Sequence, residues 1–127
     1  MRTPWSEQID AGSVLSEYPR PQMVRQNWIN LNGQWEFEID HGLSGKERGL
    51  HNGTGLKDVI TVPFCPESEL SGVNFKDFMS CVWYRREVIL PAGWVRGMNE
   101  AGERILLHFG AVDYCFISGT PVCVKIC

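Results

Sequence analysis

Between positions 31 and 39, apolar and polar residues take turns with a strict period of two. Leu31, Trp35, Phe37 and Ile39 alternate with Asn32, Gln34, Glu36 and Glu38, and Gly33 falls on the apolar side. Successive side chains of a strand point to opposite faces, so this run is a strand with one face in a core and one in water. A helix would scatter the same aromatics around its circumference. The chain must therefore build a sheet against an apolar layer, and Trp35 belongs to that layer.

The segments around this strand are short and punctuated. Residues 1–22 hold three prolines and no sustained periodicity, which reads as an extended arm over a domain surface. Val24, Trp28 and Leu31 fall at i, i+4 and i+7 and predict a short helical turn that needs tertiary support. Residues 41–57 are rich in Gly and polar side chains and read as a loop or long hairpin connection, with Asn52-Gly53-Thr54 as a turn and not as a glycosylation site. Val59 to Val62 is a short strand ended by Pro63, and Phe64 to Ser80 is a long irregular loop of the kind that often carries function.

Val82 to Leu90 is β-branched and aromatic, with both faces partly covered. Glu103 to Phe109 predicts another strand, with Ile105, Leu107 and Phe109 on the core side, and Val112 to Ile117 starts one more. Short strands separated by Gly and Pro loops, without a helix of ordinary length, point to an all-β sandwich or jelly roll.

A chain of 127 residues is one domain at most, able to bury roughly two-thirds of its unfolded surface. The formal net charge of -3 and the scattered twelve Lys and Arg argue against nucleic acid as a partner. No run approaches the ~18 apolar residues of a membrane span, and the first residues lack the apolar core of a signal peptide. No membrane partner and a cytoplasmic location are expected. Of the five cysteines, Cys65 and Cys81 read as small buried packing residues. Cys115, Cys123 and Cys127 crowd the end of the chain without a nearby His, so no metal site is expected.

Four segments, in order, carry a resemblance to a known family. They are Tyr18-Pro19-Arg20-Pro21-Gln22, Leu31-Asn32-Gly33-Gln34-Trp35-Glu36-Phe37, Val62-Pro63-Phe64-Cys65-Pro66-Glu67-Ser68, and Val82-Trp83-Tyr84-Arg85-Arg86-Glu87-Val88-Ile89-Leu90-Pro91. Together they resemble the opening of glycoside hydrolase family 2, the family of β-galactosidases and β-glucuronidases, over roughly Met1 to Tyr114. The resemblance implies an N-terminal sugar-binding jelly roll of galactose-binding-like type, an arm at 1–22 and the domain proper at 23–127, with no cofactor. Its implied activity, retaining hydrolysis of terminal β-glycosides, sits in a barrel domain further along the family's chains.

Past Tyr114 the pattern breaks. Ser118-Gly119-Thr120-Pro121-Val122 resembles a degraded, early version of the family's Asn-Gly turn, and the final strands of the jelly roll are expected to be missing. A sandwich short of its last strands exposes an unpaired edge, so a fragment or interrupted gene is favoured over a deliberately short protein.

Retaining hydrolysis needs two carboxyl groups about 5 Å apart, one to attack the anomeric carbon and one to protonate the leaving oxygen. Asn99-Glu100 has the dipeptide of the family's acid/base, but it lies before any barrel and reads as a solvated turn. No catalytic residue is therefore assigned. In the family a loop of this domain reaches the active-site mouth, and Glu67, Glu69, Asn74 and Asp77 fall in the corresponding loop as rim candidates. Trp94, beside Gly93, is the candidate for an exposed sugar-stacking face. Arg85 and Glu87 share one strand face, with Arg86 on the other, which suits an ion pair across neighbouring strands. His41, His51 and His108 are unclustered and suggest no triad.

The expected function is that of a sugar-binding-domain fragment, inactive alone, whose partners in the parent are a β-glycoside and the absent barrel. A free-standing carbohydrate-binding module is the alternative. A weaker one is an interaction protein that pairs its open edge with a partner strand.

Overall fold

The period-two run at 31–39 becomes an interior strand of a five-stranded antiparallel sheet, second from one edge. The fold is a computed structural model that describes residues 4, 7–10, 12, 14, 16–52, 55–94, 104–112, 116–119 and 123–126, the last two stretches as backbone alone. The strands are Gly33–Ile39 (β1), Asp58–Val62 (β2), Val82–Arg85 (β3), Phe116–Gly119 (β4) and Cys123–Ile126 (β5). Their order across the sheet is β2-β1-β3-β5-β4.

The register explains which side chains meet. β1 lies between β2, with Trp35 opposite Ile60, and β3, with Phe37 opposite Tyr84. β5 continues the sheet from β3, Val82 opposite Ile126, and β4 pairs back onto β5 from Phe116 to Gly119. Of the degraded turn expected at Ser118–Val122, Ser118 and Gly119 close β4 and residues 120–122 lie outside the described residues.

One face carries the main core. Trp35, Phe37, Ile60 and Val82 are buried, and Leu31, Ile39, Val62, Val73, Met79 and Tyr84 pack against them. Phe37 and Ile60 have no exposed surface; burying each side chain of this size contributes about 1.5–3 kcal/mol. Phe37 and Tyr84 meet edge to face, ring centroids 5.2 Å apart, the arrangement that aromatic quadrupoles favour. Arg86 reinforces the start of β1: its Nη1 donates to the carbonyls of Leu31 and Asn32, and the guanidinium lies 5.9 Å from the Trp35 ring centre. Trp35 donates its own indole N–H to the Leu31 carbonyl at 2.7 Å.

Several expectations are corrected. No helical turn forms over 24–31; the 3-10 turn Pro21–Met23 lies just before it. Val24 is 62% exposed, while Trp28 turns to Tyr18 and Leu31 to the sheet core, so the three share no face. A segment that short cannot pay for its own nucleation, and an Asn30 side chain accepting the Asn32 amide N–H offers the backbone an alternative turn.

The strand expected over 82–90 stops at Arg85, because the ladders to β1 and β5 both end there, opposite Glu36 and Cys123. Ile89 beyond it is 90% exposed. Residues 104–112 form no strand, and Leu107 and Phe109 are exposed where a core side was expected. The strand expected from Val112 is seen from Phe116 onward, residues 113–115 being outside the described set. Cys81 is buried as expected, but Cys65 is exposed. Glu38 was placed in water and is 4% exposed.

The all-β class is therefore what the chain adopts among the described residues, as a single small antiparallel sheet with short 3-10 turns.

Candidate functional site

The loop after β2 is built around Ser71. A cis peptide joins Val62 to Pro63 at its start. The Ser68 side chain caps the 3-10 turn Glu69–Ser71 by accepting the Leu70 N–H. Ser71 is 1% exposed; its hydroxyl donates to the Ser68 carbonyl at 2.7 Å and accepts the Val73 N–H at 3.0 Å. Gly72 follows in the left-handed region at φ 83°, where a side chain is disfavoured. Phe75 donates its amide N–H to the Pro66 carbonyl and closes the loop on itself.

The rim candidates are presented outward from this frame. Glu67, Glu69, Asn74 and Asp77 are exposed, and Asn74 takes a positive φ of 50°. Trp94 is half-buried, its amide N–H donated to the Pro91 carbonyl. Asn99 and Glu100 lie outside the described residues. The structure brings Glu67 and Cys65 close enough to Tyr84 to act on its titration. Burial pushes the Tyr84 phenol up to about 12, with the negative charges of Glu67 and Cys65 adding to the effect. A phenol held this high is a hydrogen-bond donor at neutral pH and not a base.

A hollow of ≈ 190 Å³ lies at the start of β1, lined by Gly12, Gly33, Gln34 and Thr61. It is smaller than the ~300 Å³ at which ligand pockets begin, and it holds none of the rim candidates.

The best-built polar constellation is on the other face of the sheet, and the sequence reading missed it. Glu36, opposite Arg85 in the ladder, accepts two hydrogen bonds from Arg85 Nη1 at 2.9 Å each and one from the Leu56 N–H at 3.0 Å. Burial pushes Glu36 up, but the Leu56 amide and the Arg85 guanidinium outweigh it and leave the carboxyl below its ordinary value. The cross-strand ion pair anticipated for Arg85 is thus present, with Glu36 as its partner.

Asp40, just past the end of β1, is 2% exposed. Its carboxylate accepts from the Gly45 N–H at 2.7 Å, the Trp83 indole N–H at 3.0 Å, the Ser44 N–H at 3.1 Å and Arg48 Nη2 at 3.3 Å. Burial opposes ionisation here too, yet the Trp83 donor, the two amides and Arg48 together hold the carboxyl below its usual value. The other arm of Arg48 pairs with Glu38, which Lys57 also approaches at 3.7 Å. Beneath this cluster Leu50, Cys81 and Trp83 form a second small core, with Leu56 against it. A usable signal was available in Asp40, an acid at the end of the alternating run followed by Gly42, Ser44 and Gly45, the pattern of a side chain folding backbone amides around itself.

The acids of this constellation are satisfied internally, while the Nε of Arg85 is buried without a hydrogen-bond partner among the described residues. The carboxylates are engaged by fixed cations and amides, so the constellation organises a loop and presents no base or nucleophile to a ligand. Among the described residues no group of three or more His, Cys, Asp or Glu is placed to hold a metal ion.

No known protein-family profile matches the chain. It is similar to curated β-glucuronidases: to that of Felis catus at 28% identity over 104 residues, of Paenibacillus borealis at 28% over 97 residues, and of Sus scrofa at 26% over 104 residues. These alignments take in 74 to 76% of this chain and 15% of each relative. The chain thus spans a small part of the length of the glycosidases it resembles.

Proposed function

We propose that this chain is part of the N-terminal sugar-binding domain of a glycoside hydrolase family 2 enzyme whose parent hydrolyses terminal β-glycosides with retention. The observation that carries this reading is the alignment of three quarters of the chain with one 15% portion of β-glucuronidases. Physical support comes from the strands, because the segments that resemble the family supply β1, the end of β2 and β3. In this reading the sheet is one layer of a jelly-roll sandwich, and the location is cytoplasmic. The chain itself holds neither catalytic glutamate. Its part in the parent is to pack on the barrel and brace the active-site rim with the loop bearing Glu67, Glu69, Asn74 and Asp77. A free-standing carbohydrate-binding module is the second reading, with the partly exposed Trp94 as its candidate sugar-stacking face.

Three measurements on the purified chain separate these. Incubation with p-nitrophenyl β-glucuronide and β-galactoside is expected to release no nitrophenol; release that disappears on replacing a single carboxylate would refute the proposal. Co-expression with a β-glucuronidase lacking the matching segment is expected to yield a complex that purifies together. Saturable quenching of Trp fluorescence by glucuronate or galactose, lost in Trp94→Ala, with no such complex, would establish the module instead.

A further inference from the structure

Of the six asparagines in the chain, only Asn32 and Asn52 stand directly before a glycine. That pairing has a chemistry of its own. Glycine has no Cβ to shield its backbone nitrogen, so the nitrogen can reach the side-chain carbonyl carbon of the asparagine before it. Such a pair loses its side-chain amide where the backbone is free to turn, and keeps it where the backbone is fixed. The fold treats the two pairs differently. Asn32 is fastened at three polar groups: its N–H donates to Asn30 Oδ1 at 2.7 Å, its Nδ2 donates to the Val14 carbonyl at 3.0 Å, and its carbonyl accepts from Arg86 Nη1 at 3.0 Å. Gly33 then opens β1 at φ 113°, opposite Val62 in the ladder. Asn32 cannot turn without pulling out the start of β1, where the Trp35 indole and Arg86 both donate to the Leu31 carbonyl. Asn52 is exposed and is the last residue of the 3-10 turn Leu50–Asn52. Its N–H donates to the Gly49 carbonyl at 2.8 Å, and among the described residues its side chain and its carbonyl have no hydrogen-bond partner.

We propose that Asn52 is a site of spontaneous deamidation in the folded chain, while the chemically identical pair at Asn32 is protected by the start of β1. The Gly53 backbone nitrogen gives its proton to solvent base and attacks Asn52 Cγ. A C–N bond forms, the Cγ–Nδ2 bond breaks, and the side-chain nitrogen leaves as ammonia. Water then adds to one of the two carbonyls of the cyclic imide, opening it to Asp or to isoAsp. Water is the only co-reactant, and nothing is oxidised or reduced. The product is one charge unit more negative than the formal −3 of the chain. It also alters the β1–β2 connection between Leu50, which packs in the second core, and Leu56, whose N–H is held by Glu36. The reaction at Asn32 waits on the opening of a paired strand, and that at Asn52 only on the end of a short turn, so the two follow opening equilibria of different depth.

The test is prolonged incubation of the full-length chain at neutral and mildly alkaline pH, in buffer and in unfolding urea, followed by peptide mapping with mass spectrometry. The two pairs fall in different tryptic peptides, one ending at Lys46 and the other at Lys57. In buffer Asn52 is expected to convert about tenfold or more faster than Asn32, and faster at the higher pH because the attacking nitrogen must be deprotonated. In urea the two rates should approach one another. Asn52→Ser should remove the acidic form seen on isoelectric focusing and leave the Asn32 rate unchanged. Equal rates in buffer, a lead for Asn32, or an Asn52 that converts only in urea overturns the proposal. A gap that persists in full in urea does the same, since it then belongs to the neighbouring residues and not to the fold. So does an acidic form that accumulates as fast in Asn52→Ser as in the wild type.

Discussion

Asp40 accepts hydrogen bonds from groups four, five, eight and forty-three positions away in the chain. That set makes one carboxylate the anchor of residues 44–48, the first part of the β1–β2 connection, and its titration has a definite sign. Asp40 and Glu36 both titrate below their ordinary values in the folded chain. The unfolded chain therefore takes up protons first as pH falls, and the stability these groups contribute is present in full above the ordinary carboxylate range. It is lost as pH descends through the folded-state values, from about pH 5 downward. Urea unfolding measured across that range should show a falling midpoint in the wild type and a shallower fall in Asp40→Asn. At Gly45 the constraint is steric, because a methyl group would meet the Trp83 indole and Asp40. Gly45→Ala should cost about 1–3 kcal/mol in denaturant unfolding, the range for overpacking a tight site.

At the level of elements, β1 holds the sheet together because both of its edges are paired and its apolar face is buried in the main core. Phe37 is fully buried, so Phe37→Ala should destabilise the fold by about 3–5 kcal/mol, checked by urea or thermal unfolding. On the other face a double-mutant cycle of Glu36→Gln and Arg85→Met should return a coupling of about 0.2–1 kcal/mol, since Glu36 is 40% exposed and solvent screens the pair. What was legible in sequence follows the same division. β1 and β2 were readable because alternation and a terminating proline are local signals. The helical spacing at 24–31 misled because Trp28 finds Tyr18 and Leu31 finds the sheet, contacts that periodicity does not encode. The alternation at Ile105, Leu107 and Phe109 misled for the converse reason: period two describes a capacity to pair, and no strand pairs with residues 104–112 among those described. Within the candidate rim, the loop's irregularity and the exposure of its acids were readable, while the Ser71 hub that shapes it was not.

Across the whole molecule, several large hydrophobic side chains among the described residues are left on the surface. Phe78, Ile89 and Leu106 are 84%, 90% and 69% exposed. Large exposed hydrophobics of this kind promote self-association in a chain that stands alone. Light scattering on the purified chain should show mass rising with concentration, and Phe78→Ser with Ile89→Lys should reduce that rise; a monodisperse monomer at all concentrations would contradict it. The likeness to β-glucuronidases fits this surface, since in the proposed parent such residues have further protein to pack against. By itself the sequence determined that the chain is β-rich, that Trp35, Phe37 and Ile39 face inward, and that Arg85 seeks an acid across the ladder. Only the tertiary structure decided that Glu38 and Asp40 are buried, that Cys65 is exposed while Cys81 is covered, and where β3 stops. The reason is that Asp40 is covered by Trp83 from forty-three positions away and β3 stops where its ladders to β1 and β5 end, and distance in space is what a residue pattern does not carry.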